Sequence, residues 1–491
     1  MENLPILVLL PLLFGAILSM IAGLWRPLAA QVIAVVSTAA SLVLAVVGLL
    51  RVVPDGRLTH DLGGWAPSIG IEYVLDPLSA YMTVIIALIG LLVCVYPVGA
   101  AFDLKPRGGA PLYPLALLLL TGLTGVVLSG DLFHLFVMLE IYAIATYGLV
   151  SLGGDRGVLA SLRYLLLGTL GSGLYLLGVG FLYFSTGTLN MADMAQALPP
   201  LADSPTTLGA MALIVIGLAL KMALFPLHVW LPDAHSYSPP GVAALLAAVQ
   251  VKAGAYGLVR ILFDVFGPAY GDGAGLPVST ALTWFGLAGI LVGSVLAIQQ
   301  TDLKRLLAYS TVAQLGYIGV GIGLANPLAL VGALLHVLNH AVMKSGLFLV
   351  AGGIIQQTGL KTIAKFAGLG KRMPLTMAGF ALAGLSMVGI PPTAGFFSKF
   401  YLVWGGIEAG NWAVFVVVVS SSLLTAVYFL RLFEQIFVRE PELEVVAAAR
   451  EPGPRVVGTV AVLGAAVVLI GVFNAVIVEN VLMPVADRML G

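Results

Sequence analysis

The sequence predicts an all-α polytopic membrane protein of about fourteen transmembrane helices, and three observations carry that prediction. Of the 491 residues, 60% are hydrophobic and only 9% charged, and the mean hydropathy of +1.07 lies outside the soluble range. Apolar runs of roughly 20 residues, enough for a helix to cross the ~30 Å hydrocarbon core, recur along the whole chain. Two of these runs are broken in the middle by proline, at corresponding places in two halves of the sequence.

The runs lie near 4–24, 28–50, 73–98, 111–128, 131–150, 158–184, 208–231, 241–265, 279–299, 305–324, 327–355, 375–409, 412–438 and 456–480, which leaves no room for a soluble domain. The first has no basic leader and no small-residue cleavage site, so it reads as a retained span. Cys94, inside the third, is the single cysteine and can form no internal disulfide. A net charge of zero and short connections exclude a nucleic-acid footprint. The glycines of GTLGSGLYLLGVG sit in an apolar run, where small residues let helices approach closely; without an adjoining strand they make no nucleotide-binding loop.

The broken runs are the seventh, LALKMALFPLHVWLP with Pro226, and the twelfth, GLSMVGIPPTAGFFSKFYL with Pro391 and Pro392. A proline frees a backbone carbonyl in hydrocarbon, which is tolerated where protein or water takes up the lost bond. The two breaks are five spans apart, so repeats of spans four to eight and nine to thirteen are inverted with respect to each other, an arrangement that points to a path near the midplane. The expected organisation is three N-terminal spans in 1–110, a first repeat in 111–265, an inverted second repeat in 279–438, and a loop with the last span in 439–491.

Cytoplasmic loops hold the excess of Lys and Arg. With the N-terminus outside, fifteen of the 23 cations fall inside: Arg26, Lys105, Arg107, Arg156, Arg163, Lys304, Arg305, Lys361, Lys365, Lys371, Arg372, Arg431, Arg439, Arg450 and Arg455. Arg51, Arg57, Arg260 and Arg488 fall outside, and fourteen spans return the C-terminus to the outside too.

The four remaining cations, Lys221, Lys252, Lys344 and Lys399, lie within spans. Lys221 and Lys252 are each about a dozen residues from a helix end, ~18 Å at 1.5 Å per residue, too deep to snorkel. A charge at the centre of a span costs roughly 2.5–3.5 kcal/mol, so each lysine needs a partner, water, or loss of its proton, and loss of water favours the neutral amine. Buried lysines are thus suited to carry protons. Glu140 is the carboxylate at mid-span and the natural counter-ion for one of them, whereas Asp76 stands near the start of its span and reads as interfacial. His336, His340 and Lys344 are spaced i, i+4, i+8 and share one helix face. His228 stands beside Trp230 near a helix end and reads as a hydrogen-bonding group, with an accessory role as the alternative. HVLNH lacks the glutamate of a zinc-protease HExxH, and no metal or cofactor site is expected. Nucleophilic triads and haem motifs are absent, so the chemistry on offer is proton transfer and not covalent catalysis.

The motifs SGDLFHLFVMLEI, LKMALFPLHVWLPDAHSYSPP, QQTDLKRLLAYSTVAQLGY, HVLNHAVMKSGLF and GIPPTAGFFSKF, within residues 75 to 435, resemble the antiporter-like subunits shared by Mrp-type multisubunit cation/proton antiporters, respiratory complex I and membrane-bound hydrogenases. The resemblance implies that Glu140 pairs with Lys221, that Lys252 passes the proton inward, that the histidines of the eleventh span continue a hydrated axis, and that Lys399 serves a second half-channel. Length, short tails, SGDLF and Lys399 most resemble the D-type chain of the Mrp complex; His134 stands where D-type chains commonly carry asparagine, and its role is unassigned. That resemblance implies partner subunits of A, B, C, E, F and G type, protons and sodium as the ions moved, and a bacterial or archaeal cytoplasmic membrane. A redox-driven proton pump of the complex I or hydrogenase type is the alternative, and a scaffold carrying relic charges is a third. The cost of the buried charges argues against the scaffold. No carboxylate cluster suits sodium, so a sodium path is expected to need another subunit.

Overall fold

A computed structural model describes residues 3–67, 69–96, 111–267 and 276–490. Lys105 and Arg107, counted above as loop cations, lie outside the described residues. The chain is helical almost throughout: α1 Leu4–Gly23, α2 Pro27–Asp55, α3 Pro77–Val95, α4 Leu112–Leu128, α5 Leu132–Ser151, α6 Asp155–Thr186, α7 Met191–Ala197, α8 Pro205–Met222 and α9 Leu231–Tyr237. Then follow α10 Pro240–Val265, α11 Val278–Ile298, α12 Leu303–Gly323, α13 Pro327–Thr358, α14 Pro374–Val388, α15 Ala394–Glu408, α16 Trp412–Val438, α17 Pro454–Val472 and, near the C-terminus, α18 Met483–Leu490. Twelve of the described helices are long and apolar enough to cross a membrane, and α4 and α14 are shorter apolar helices.

The helix starts follow from the sequence. Pro27, Pro77, Pro205, Pro240, Pro327, Pro374 and Pro454 stand in first turns, where a missing N–H costs nothing. Asp76, Asp131, Asp302 and Asn326 accept backbone N–H groups as N-caps of α3, α5, α12 and α13. Helices α10, α12 and α13 form the buried centre, and large side chains such as Phe14, Leu166, Phe184 and Leu430 face outward from the ring around them, as lipid contact requires. Gly171, Gly178 and Gly217 seat α6 on α8: a Cβ on Gly178 would stand 2.7 Å from the Ala210 carbonyl, and one on Gly217 2.5 Å from that of Gly171.

Both expected breaks are present. Helix α8 stops at Met222, Ala223 adopts a left-handed φ of 58°, and the chain resumes as α9. Helix α14 stops at Val388, Gly389 turns with φ 93°, and α15 begins at Ala394.

The structure corrects or extends four expectations. The fold also contains a hairpin, Leu58–Asp61 antiparallel to Glu72–Leu75 with Leu58 opposite Leu75, at the end of the bundle where α2 finishes. Arg260 and Lys304 are buried, not loop cations. Asp76 caps the start of its span as expected, but its side chain is buried and ion-paired to Arg260 at 2.5 Å. Lys221 is not a dozen residues inside a helix; it is the penultimate residue of α8, at the break itself.

Candidate proton-transfer site

The site is built from α5, α8, α10, α13 and α15. On α5, Glu140 accepts from the Ser172 hydroxyl of α6 and from Lys221 Nζ at 3.4 Å. The lysine side chain is 1% exposed and the glutamate 26%, so the pair lies at the edge of the bundle with its carboxylate half open. Lys221 lies 5.8 Å from the centre of the Tyr142 ring, a second favourable contact for a cation. The break behind it is held by Trp230, which donates its indole N–H to the Leu220 carbonyl at 3.1 Å and stacks on Tyr164 at 4.1 Å and 9°. His228 lies within the break, stacked on Phe225 at 5.4 Å.

Deeper in, Lys252 is buried on α10 between two π-helical turns, Leu246–Gln250 and Arg260–Val265, and donates to the Ala247 carbonyl. On α13, Lys344 donates to the Leu307 carbonyl at 2.8 Å and to the Ser310 hydroxyl. The rings of His336 and His340 lie parallel, 6.0 Å apart and 4° from coplanar in orientation, and His340 stands close enough to Lys252 and Lys344 to feel their charges. His336 Nδ1 meets the Ser398 hydroxyl at 2.9 Å, and the next residue is Lys399. Lys399 Nζ donates to the Met387 and Val388 carbonyls at 2.9 and 3.0 Å and to Ser422 at 3.1 Å, and lies 5.2 Å from the Tyr317 ring centre. These carbonyls are the free C-terminal end of α14, which a cation stabilises. The contacts thus join His340, His336 and Ser398 beside Lys399, with Lys252 and Lys344 buried on α10 and α13 and the Glu140–Lys221 pair at the edge of the bundle.

His134 is placed elsewhere. Asp131 caps its backbone N–H at 2.6 Å, and its ring bridges Ser129 at 2.9 Å and Tyr73 at 3.2 Å, which ties the hairpin to α5.

Two buried groups escaped the sequence reasoning. Lys304 donates to the Ser238 carbonyl at the end of α9, and His235 on α9 is fully buried, edge-on to Phe348 at 5.9 Å, within electrostatic reach of Lys252, Lys304 and Lys344. Helix α9 is pinned at its start as well, where Asp233 takes Arg163 at 2.7 Å and Arg305 at 3.2 Å. The motif LPDAHSYSPP reads as a loop by composition, so periodicity gives His235 no signal. Among the described residues no three His, Cys, Asp or Glu side chains converge to hold a metal.

Comparison with known proteins places the chain in a family. The family described as NADH:quinone oxidoreductase/Mrp antiporter, TM matches residues 129–425, the range that contains every station from Glu140 to Lys399. NADH-quinone oxidoreductase subunit N of Desulforudis audaxviator is 49% identical over 86% of this chain and 86% of its own. The D-type chain of the Na(+)/H(+) antiporter of Alkalihalophilus pseudofirmus is 32% identical over 88% and 86%. A chain in the structure of the Mrp complex from Dietzia sp. DQ12-45-1b superposes with a TM-score of 0.89 at 26% identity, covering 100% of this chain and 97% of that one. The chain is a multi-pass membrane protein and belongs to the NADH:quinone oxidoreductase/Mrp antiporter transmembrane family.

Proposed function

We propose that the chain is the proton-translocating subunit of a multisubunit cation/proton antiporter and that its site residues are Glu140, Lys221, Lys252, His336, His340, Lys344 and Lys399. The observation that carries this is the buried succession from Lys252 through the two stacked histidines and Ser398 to Lys399. Isolated charges at this depth cost several kcal/mol, and here they stand in sequence along one axis. His340 and His235 make no protein hydrogen bond with either ring nitrogen, and a buried polar group left so costs about 1–3 kcal/mol. Internal water relieves that cost and joins the stations into a conducting chain. Glu140 and Lys221 act as the switch: the carboxylate stabilises the protonated amine, and its withdrawal releases a proton toward Lys252.

The half-open Glu140 carboxylate at mid-span needs a cover other than lipid, which supports assembly with further membrane subunits. Both termini face outside under the cation count, and the paired breaks support two inverted repeats. The 49% identity to an oxidoreductase subunit also supports a second reading, the proton-pumping membrane subunit of a redox-driven complex. In either case this chain forms and breaks no covalent bonds of a substrate.

Purification of the native complex followed by proton-flux measurement in vesicles tests the proposal. Sodium-driven proton flux with small hydrophobic partner chains is the expected result. Iron–sulfur partners with flux tied to electron transfer replace the first reading with the second, and flux unchanged in Lys252→Ala removes both.

A further inference from the structure

Lys252 does not stand alone on its face of α10: Lys252, Tyr256, Arg260 and Asp264 follow one another at intervals of four, a stripe from mid-membrane to the hairpin end of the bundle. At that end a cavity of about 290 Å³ is lined by Tyr256 and Arg260 together with the half-exposed Arg488. Tyr256 lies one helical turn from Lys252, about 6 Å along the axis. A proton on Lys252 is thus one turn away from a polar vestibule on the hairpin side.

The contacts at that turn do not relay protons. The Tyr256 hydroxyl donates its single proton to the Val127 carbonyl at 2.5 Å and accepts from Arg260 Nε at 2.7 Å. The next group, the Arg260 guanidinium, offers donors and no acceptor and keeps its charge in proteins. It is clamped by Asp76 at 2.5 Å and Asp264 at 2.6 Å, and its carbon lies 5.1 Å from the Tyr256 ring centre. Arg488 of the C-terminal helix reaches the same two carboxylates at 3.2 and 3.9 Å, while Glu72 on the hairpin is taken by Arg57 at 3.0 Å. The route from Lys252 toward the vestibule therefore ends on committed groups: the hydroxyl gives its proton to Val127, and the guanidinium behind it, held by two carboxylates, offers no acceptor.

We propose that Tyr256 and Arg260 form a proton seal at the hairpin end of α10, which denies Lys252 exchange with that side of the membrane and commits its proton to the His340–His336–Lys399 direction. The seal rests on the reading that Lys252 carries protons, and it adds residues and a direction to that reading. Asp76 and Asp264 are positioning residues that hold the guanidinium in place.

The test is passive proton leak, with no sodium gradient and no electron donor, in vesicles holding the complete complex, driven by an imposed potassium diffusion potential and followed with a trapped pH dye. Freeing the Tyr256 hydroxyl from its guanidinium donor predicts that Arg260→Gln raises the leak by roughly tenfold. Adding Lys252→Ala to that variant returns the leak to the wild-type level, because the route opened runs through Lys252. The Asp76→Asn/Arg260→Gln double variant, which removes the pair together and strands no buried charge, leaks likewise and decides the matter should the single variant fail to assemble. Tight vesicles from the assembled double variant overturn the seal, as does a leak that persists with Lys252→Ala. Failure of the seal is separate from failure of the function: the latter shows as driven flux that survives in Lys252→Ala or Glu140→Ala, whatever the leak.

Discussion

The two broken helices carry their lysines in opposite ways. Lys221 precedes its break, as the last turn of α8, and is answered by a side-chain carboxylate from another helix, Glu140 at 3.4 Å. Lys399 follows its break and, among the described residues, has no carboxylate within ion-pairing distance; it reaches back to the Met387 and Val388 carbonyls that end α14. A carboxylate can swing away or change its charge, whereas backbone carbonyls cannot. Under the proposed function, the first half acts as a switch whose strength another subunit or a movement of α5 can alter, and the second as a fixed terminus that receives and gives up protons from one position.

This contrast is broken most severely by removing the amines. Lys399→Ala is expected to cut proton flux by at least roughly tenfold with the complex still assembled on a native gel, since an amine held by carbonyls contributes little packing. Retained flux reduces Lys399 to a structural cap of α14. A smaller loss is expected from Ser422→Ala, which removes the one side-chain hydrogen bond to Lys399 and leaves both carbonyls in place. The net contribution of one hydrogen bond is about 0.5–1.5 kcal/mol, so flux should fall about twofold to tenfold, and an unchanged rate shows that the carbonyls alone hold the amine.

Backbone changes at the breaks sharpen the same contrast. Gly389 has φ 93°, and a Cβ there would stand 3.2 Å from Lys399 Cδ and 3.4 Å from its Nζ. Gly389→Ala is expected to cost about 1–2 kcal/mol from the backbone alone and to displace the lysine, seen as a lower melting temperature together with reduced flux. Ala223 already occupies the left-handed region at the first break, φ 58°. Ala223→Gly should shift stability by less than about 1 kcal/mol, toward greater stability, and leave flux at the wild-type level in the same assays; a marked loss of flux there would mean that strain at the first break is part of the switch.

Much of this was legible in the sequence because the signal was local. The proline breaks, the 336/340/344 stripe and the mid-span charges are read from spacing and hydropathy within single spans. Arg260, Lys304 and Asp76 were not legible, because each lies beside a loop in sequence and is buried by contacts from far away: Asp76 meets Arg260 across 184 residues, and Lys304 finds Ser238 across 66. The pairing of Lys399 with carbonyls was hidden for a related reason, since a sequence shows which side chains are charged but not which helix ends are left open. That Glu140 answers one of the buried amines was legible from its place as the carboxylate at mid-span, whereas the choice of Lys221 among them came from the family resemblance; the two stand 3.4 Å apart.

The central claim, that Glu140 and Lys221 operate as one switch, is tested most directly by a double-mutant cycle on driven proton flux in everted vesicles, with expression of each variant checked. Glu140→Ala and Lys221→Ala are each expected to reduce flux to near background, and Glu140→Asp to keep part of it, because the charge remains while the reach is one methylene shorter. Groups that act as a unit are not additive, so the account predicts that Glu140→Ala/Lys221→Ala is no worse than either single variant. Wild-type flux in Glu140→Ala, or partial losses that multiply in the double variant, would contradict it.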